Sequence, residues 1–264
     1  MAVAAATHWR EFAIEVAALG GFMVSAATMA TLLEHPASPL HGLVADATTR
    51  RVLMGIAMGL TAAGIIYSPW GRRSGAHMNP AVTLTFFRLG KISGRDTIGY
   101  VGAQFVGGIA GIWLAAVGLR PWIGHPSVNY VATLPGPSGA ATAFVGEGAI
   151  SFVMMLVVLV MSNHTRLAHF TGAAAALLVA AFIAFEAPLS GMSMNPARSL
   201  GPGVVAQVWT DLWVYFVAPP LGMLAAAEVF VQLRGQRAVR CAKLHHDNRT
   251  CVFGCGQQRR LSCQ

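Results

Sequence analysis

Ser74-Gly75-Ala76-His77-Met78-Asn79-Pro80-Ala81 and Ser190-Gly191-Met192-Ser193-Met194-Asn195-Pro196-Ala197 are two versions of one octapeptide, with their asparagines 116 residues apart. Each opens a short apolar segment, residues 78–87 and 194–208. At about ten to fifteen residues these are too short to cross a bilayer core of about 30 Å, which takes about 20 residues of helix. Proline is favoured in the first turn of a helix, where its missing N–H costs nothing. Each segment therefore reads as a half-helix that begins abruptly at Asn79 or Asn195.

Six longer apolar runs surround these two: residues 12–33, 51–67, 98–119, 141–161, 171–187 and 212–233. Three fall in each half, so the second half must run across the membrane in the opposite sense to the first. The first run holds one acid, Glu15, and the fourth holds Glu147. An inverted repeat of about residues 10–119 and 141–233, interrupted at matching places, is the sequence pattern of a solute pathway. The fold class that follows is all-α: six transmembrane helices plus two re-entrant half-helices. Residues 1–233 form one channel domain and residues 234–264 a separate tail.

Composition agrees. Of the 264 residues 55% are hydrophobic and only 11% charged, where a soluble domain carries about 25% charged residues. So little charge does not cover a soluble surface of this size. A disordered chain needs the opposite balance. Four cysteines in such a length exclude a small disulfide scaffold. The net charge of +8 lies in short connections and in the tail, without the basic and aromatic interleaving of a nucleic-acid surface. No basic region precedes the first apolar run, which reads as a retained helix rather than a removed signal peptide.

Cytoplasmic loops of membrane proteins are enriched in lysine and arginine. With the N-terminus inside, the inner side holds Arg10, Arg72, Arg73, Arg88, Lys91, Arg95, Arg166 and the seven basic residues of the tail, 14 of the 18 in the chain. The outer side holds Arg50, Arg51, Arg120 and Arg198. Both termini are expected in the cytoplasm, in a cell membrane (plasma or inner).

Non-helical backbone survives at membrane depth only where it is buried in protein or lines a watery cavity. Two half-helix starts meeting there aim unpaired N–H groups and the positive ends of their dipoles at one point. Cations and hydronium are repelled at that point. The amides of Asn79 and Asn195 offer N–H donors to a passing oxygen, which interrupts a proton wire.

With two Asn-Pro-Ala boxes, each after Ser-Gly, and two Glu-bearing helices, the stretch from about Arg10 to Leu233 resembles the aquaporin (major intrinsic protein) family. The resemblance implies a passive water channel, assembled as a homotetramer with one pore per subunit and needing no cofactor. It makes Pro80, Ala81, Pro196 and Ala197 parts of the boxes, and Glu15 and Glu147 braces that accept hydrogen bonds from the loops. It makes Arg198, directly after the second box, the filter arginine, with Met192 and Ile183 as the next filter positions. The fourth comes from the second helix, where the count leaves Gly59 or Met58. His77 is implied to line the inner half of the pore, with the carbonyls of Gly75, Ala76, Gly191 and Met192 as an acceptor ladder. Gly75 and Gly191 suit an irregular backbone.

The chain departs from the strict water-channel pattern, because Ile183 stands where that pattern has a histidine. It also departs from glycerol facilitators, with Ser199 where they have an aspartate and the aromatic pair Tyr215-Phe216 in the sixth helix. Water with small neutral solutes is the reading. A wider glycerol or hydrogen peroxide facilitator is the alternative, ahead of a proton-coupled transporter using the two buried glutamates or a non-conducting structural protein. Glu186 is read as solvated at the outer mouth, and Glu228 as reaching the interface or pairing with Arg234.

The tail carries all four cysteines, Cys241, Cys251, Cys255 and Cys263, with His245 and His246 among them. Cys241, His245, Cys251 and Cys255 are weak candidates for a zinc set. The plainer expectation is a mobile basic arm with reduced thiols, held against anionic headgroups.

Overall fold

The computed structural model describes residues 8–245 and 251–253. Eight helices carry the fold among these residues: α1 Trp9–Glu34, α2 Ala47–Tyr67, α3 Pro80–Arg88, α4 Gly94–Gly118, α5 Gly139–Ser162, α6 Thr171–Phe185, α7 Pro196–Ala206 and α8 Leu212–Arg234. All but α3 and α7 are long and apolar enough to cross a membrane, α6 together with the turn before it from Ala168. The two exceptions are the half-helices.

The helices pair as the repeat requires. α1 packs along α4 and α5 along α8, while α2 of the first half packs on its counterpart α6. The approach is close enough to bring backbones into contact. A Cβ on Gly111 would stand 2.5 Å from Gly20 O, and one on Gly107 2.6 Å from Val16 O. Gly222 and Gly148 make the equivalent contact between α8 and α5. Small residues permit this in a membrane, where packing rather than water exclusion drives association. The small-residue face of α4 thus lies inside the protomer.

Paired polar side chains mark the two ends of the bundle. His8–Asp96, Glu11–Arg73 and Arg88–Glu228, at 2.8, 2.7 and 2.8 Å, gather on the side where α1 begins and α8 ends. We call this the tail side. Glu34–Arg50, at 3.0 Å, closes the other side. Glu228 therefore pairs with Arg88 at the end of the first half-helix, not with Arg234, because the inverted repeat brings the C-terminal end of α3 to the C-terminal end of α8.

The tail departs furthest from expectation. It is no mobile arm in its described part: Val239, Cys241, Ala242, Lys243 and Leu244 are all buried. The run crosses the tail-side mouth of the bundle, where apolar side chains find cover.

Candidate functional site

The two octapeptide loops enter from opposite sides and meet at their asparagines. Asn79 and Asn195 each cap their own half-helix: Asn79 Oδ1 accepts from Ala81 N at 2.8 Å, and Asn195 Oδ1 from Ala197 N and Arg198 N at 3.0 and 3.2 Å. Each amide nitrogen then crosses to the other loop. Asn79 Nδ2 donates to Met194 O at 2.6 Å and Asn195 Nδ2 to Met78 O at 2.7 Å. An amide nitrogen carries two hydrogens, so each asparagine keeps a second N–H. Both residues line a cavity of about 140 Å³ that runs between Arg198 and Leu244.

The loops hold an unusual backbone. Gly75, Ala76 and Met78 have φ of 98°, 54° and 50°, and Gly191, Met192 and Met194 have 80°, 49° and 54° at the equivalent places. Only glycine adopts this region freely, and other residues held there cost about 1–3 kcal/mol each. The offsetting interactions come from the two glutamates. Glu15 accepts from Ser74 Oγ (2.8 Å), His77 N (3.1 Å), Met78 N (2.6 Å) and Gln104 Nε2 (2.9 Å). Glu147 accepts from Ser190 Oγ (2.8 Å), Ser193 N (2.6 Å) and Met194 N (2.6 Å). Hydrogen bonds to a carboxylate are about twice as strong as neutral ones. Both glutamates are fully buried and neither lines the cavity.

One tyrosine completes each brace. Tyr100 Oη donates to Ser74 O and Tyr215 Oη to Ser190 O, both at 2.6 Å. The sequence reading missed Tyr100 and Gln104, and took Tyr215 only as half of an aromatic pair. The signal was the repeat itself, since the tyrosines stand 21 and 20 residues after the two asparagines. Glu186 is also a correction. It is buried, and its Oε2 lies 2.9 Å from Ser190 Oγ, whose single hydrogen goes to Glu147, because the turn after α6 folds it back under the second loop. Its Oε1 finds no partner among the described residues.

At the end away from the tail, Arg198 extends from the first turn of α7. Its Nη1 donates to Val131 O at 3.3 Å and to Thr133 Oγ1. Thr133 comes from the connection between α4 and α5, where sequence offers no periodicity to flag it. Ile183, Met192 and Met58 face the same cavity. Met54, Met58, Ala62 and Ile66 line it as a stripe four residues apart, the spacing of one helix face. Gly59 is turned from it, for its Cβ would stand 2.6 Å from Ala176 O on α6. The structure thus places Met58, not Gly59, on the cavity. Phe22 of α1 joins the lining and was not foreseen.

Toward the tail, Ala76 and His77 line the cavity. His77 Nδ1 pairs with Thr83 Oγ1 at 3.0 Å. The corresponding pair in the other loop, Ser193 Oγ and Ser199 Oγ, lies at 2.6 Å. The carbonyl of Gly75, expected in the acceptor ladder, is occupied, accepting from Leu244 N at 3.2 Å. Among the described residues no three His, Cys, Asp or Glu side chains gather as metal ligands. Cys255 of the suggested zinc set lies outside the described residues, as do His246 and Cys263.

Comparison with known proteins agrees with this geometry. The family model described as major intrinsic protein matches residues 3–230. A relative named putative aquaporin NIP4-1, from Arabidopsis thaliana, is 37% identical over 180 residues, covering 68% of this chain and 62% of that one. Aquaporin NIP1-4 from Oryza sativa subsp. japonica is 36% identical over 185 residues, covering 69% and 66%. The match thus spans less than two thirds of either relative's length. Among solved structures, the aquaglyceroporin from Plasmodium falciparum superposes with a TM-score of 0.70 over 88% of this chain and 99% of that one. At 20% identity this likeness speaks to the fold.

Proposed function

The chain belongs to the major intrinsic protein family, and from that premise we propose that it is a passive transmembrane channel for water and small neutral solutes that excludes protons and ions. One observation carries the reading. Asn79 and Asn195 face a single cavity, each with one amide N–H left over after bonding the opposite loop.

A water passing there accepts from both amides. It is then oriented by donors alone and has no acceptor at that point to carry a proton forward. The N-termini of α3 and α7 converge there, and their dipoles place positive potential on the same spot. Arg198 adds a full positive charge nearer one end. Pore width, lining donors and an electrostatic barrier are the selectivity elements of such a pathway.

The braces argue against a proton-coupled transporter. Glu15 and Glu147 receive four and three hydrogen bonds respectively and stay off the cavity. A carboxylate so engaged positions a loop rather than shuttling protons. We read Arg198, Ile183, Met192 and Met58 as the filter. Three of these four are apolar, and this favours a second reading, a pore that also admits glycerol or hydrogen peroxide. By the distribution of basic residues the tail side is cytoplasmic. Assembly as a homotetramer belongs to the same proposal.

Stopped-flow light scattering of proteoliposomes tests it. An impermeant osmolyte is expected to shrink vesicles faster than empty controls, and Arg198→Ala to admit protons along an imposed pH gradient. Slow re-swelling in glycerol identifies a narrow filter, and fast re-swelling the wider pore. Water flux at the empty-vesicle level, with the tail released as described below, would refute the channel.

A further inference from the structure

Beyond Gly235 the chain does not leave the bundle. It turns through Gln236–Ala238 and crosses the tail-side mouth. Its attachments lie around the rim rather than on one helix. Gln236 Nε2 donates to Leu89 O at 3.5 Å, after α3. Arg240 N donates to Asn163 Oδ1 at 2.6 Å, after α5. The His245 ring meets Tyr67 at the end of α2, with centroids 5.0 Å apart.

The middle of the segment goes inward. Ala242 is 0% and Leu244 6% exposed, and Leu244 forms part of the cavity wall with His77. The two polar groups that would meet solute here are engaged by tail backbone. Gly75 O accepts from Leu244 N, and His77 Nε2 lies 2.7 Å from Ala242 O. Phe253 returns to the same place, stacked on His77 with planes 2° apart and centroids at 5.7 Å. Where these two segments meet, Cys241 Sγ and Cys251 Sγ are 3.4 Å apart.

We propose that residues 239–245, with residues 251–253, are a plug that closes the tail-side mouth, and that Cys241 and Cys251 are the oxidation site that fastens it. The proposal rests on the channel reading. In a reducing cytoplasm the pair is a dithiol and the plug exchanges between docked and released. A peroxide oxidises it. One thiolate attacks the O–O bond, giving a sulfenic acid and a hydroxide that leaves as water, and the second thiolate displaces a further water as the S–S bond forms. Two thiols and one hydrogen peroxide become one disulfide and two waters. The bond joins residues 239–245 to residues 251–253 and restricts the released ensemble, so docking is favoured. A thiol reductant reverses it.

The test uses the full chain in proteoliposomes, with Ala242→Glu and, independently, Leu244→Glu to expel the plug. Single-peak elution in detergent establishes an intact bundle. Docking is read by the rate at which a maleimide labels Cys241, located by mass spectrometry, and closure by osmotic water permeability. For a plug docked about nine-tenths of the time, both expelling variants raise labelling and permeability by about tenfold over the parent chain. Hydrogen peroxide lowers parental permeability, yields the Cys241–Cys251 linked peptide, is reversed by dithiothreitol, and has no effect in Cys251→Ser. Equal permeability in parent and variants, well above empty vesicles, overturns the plug and leaves the channel standing. Labelling released but every protein at the empty-vesicle level overturns both. A peroxide response that persists in Cys251→Ser, or none in the parent, overturns the fastening.

Discussion

Replacing Glu147 by Gln keeps the shape of the brace and removes its charge. The carboxylate receives Ser190 Oγ and Ser193 N on Oε1 and Met194 N on Oε2. A glutamine presents one oxygen and one NH2. With the oxygen toward Ser193, the NH2 faces Met194 N, and two donors oppose each other in a buried site. One charge-assisted bond, worth about 1.5–3 kcal/mol, is lost, and a buried N–H left without a partner costs about 1–3 kcal/mol more. The total is about 2.5–6 kcal/mol. At about 2–4 °C per kcal/mol for a chain of this size, the apparent Tm falls on the order of 10 °C. The loss concentrates at Met194, whose φ of 54° needs the bond and whose carbonyl receives Asn79 Nδ2. Water permeability is therefore expected to fall as well. The assay is a thermal scan in detergent beside stopped-flow shrinkage of vesicles. A Glu147→Gln protein within about 2 °C of the parent and equally permeable would refute the bracing role, and loss of a pH-driven flux in that same protein would mark a proton carrier.

Met58→Ala is expected to speed glycerol entry by widening the cavity, whereas Gly59→Val, whose Cβ meets Ala176 O at 2.6 Å, lowers the Tm by overpacking α2 against α6, at about 1–3 kcal/mol. The two outcomes reversed in stopped-flow and thermal scans would return the filter position to Gly59. Tyr100→Phe and Tyr215→Phe each remove one hydrogen bond to a loop carbonyl, at 2.6 Å in both cases, and should each lower stability by about 0.5–1.5 kcal/mol. Thermal scans giving unequal losses would break the twofold equivalence. At the start of α2, hydrogen bonds from Thr49 hold the Asp46 carboxyl below its ordinary pKa of 3.8. A depressed carboxylate contributes stability above its unfolded pKa and loses it as pH falls through the lower folded one. The protection factor of the Thr49 amide, its exchange rate relative to the unstructured chain at the same pH, should thus be constant at neutral pH and fall only under acid below that value, and Asp46→Ala should remove this fall.

The fold was legible because its signals are local and duplicated. Six apolar runs of spanning length and two Asn-Pro-Ala starts need no knowledge of contacts, and the repeat doubles each piece of evidence. Glu15 and Glu147 stood out for a similar reason, since an acid inside an apolar run is costly unless satisfied. Most boundaries moved by only a few residues, as between 12–33 and Trp9–Glu34.

What stayed hidden depends on directions and on partners far along the chain. A count along α2 leaves Met58 and Gly59 one residue apart, about 100° around a helix, and only the packing of α2 on α6 decides which faces the cavity. Thr133 sits in a connection without period, and it reaches Arg198 because the fold returns that loop over the mouth. Glu186 and Glu228 looked like mouth and interface residues until the turn after α6 brought Ser190, and the closing of the two halves brought Arg88, to them. The tail is the clearest division. Its sequence, basic and rich in cysteine, shows a polar arm, and nothing in it announces that Ala242 and Leu244 fit a mouth built by four other segments. By itself the sequence determined the helices, the repeat and the half-helix starts, because bilayer thickness and backbone satisfaction act on each segment alone. The tertiary structure decided which side chains face the pathway and what covers its end, because those are properties of surfaces that exist only once the two halves have closed on each other.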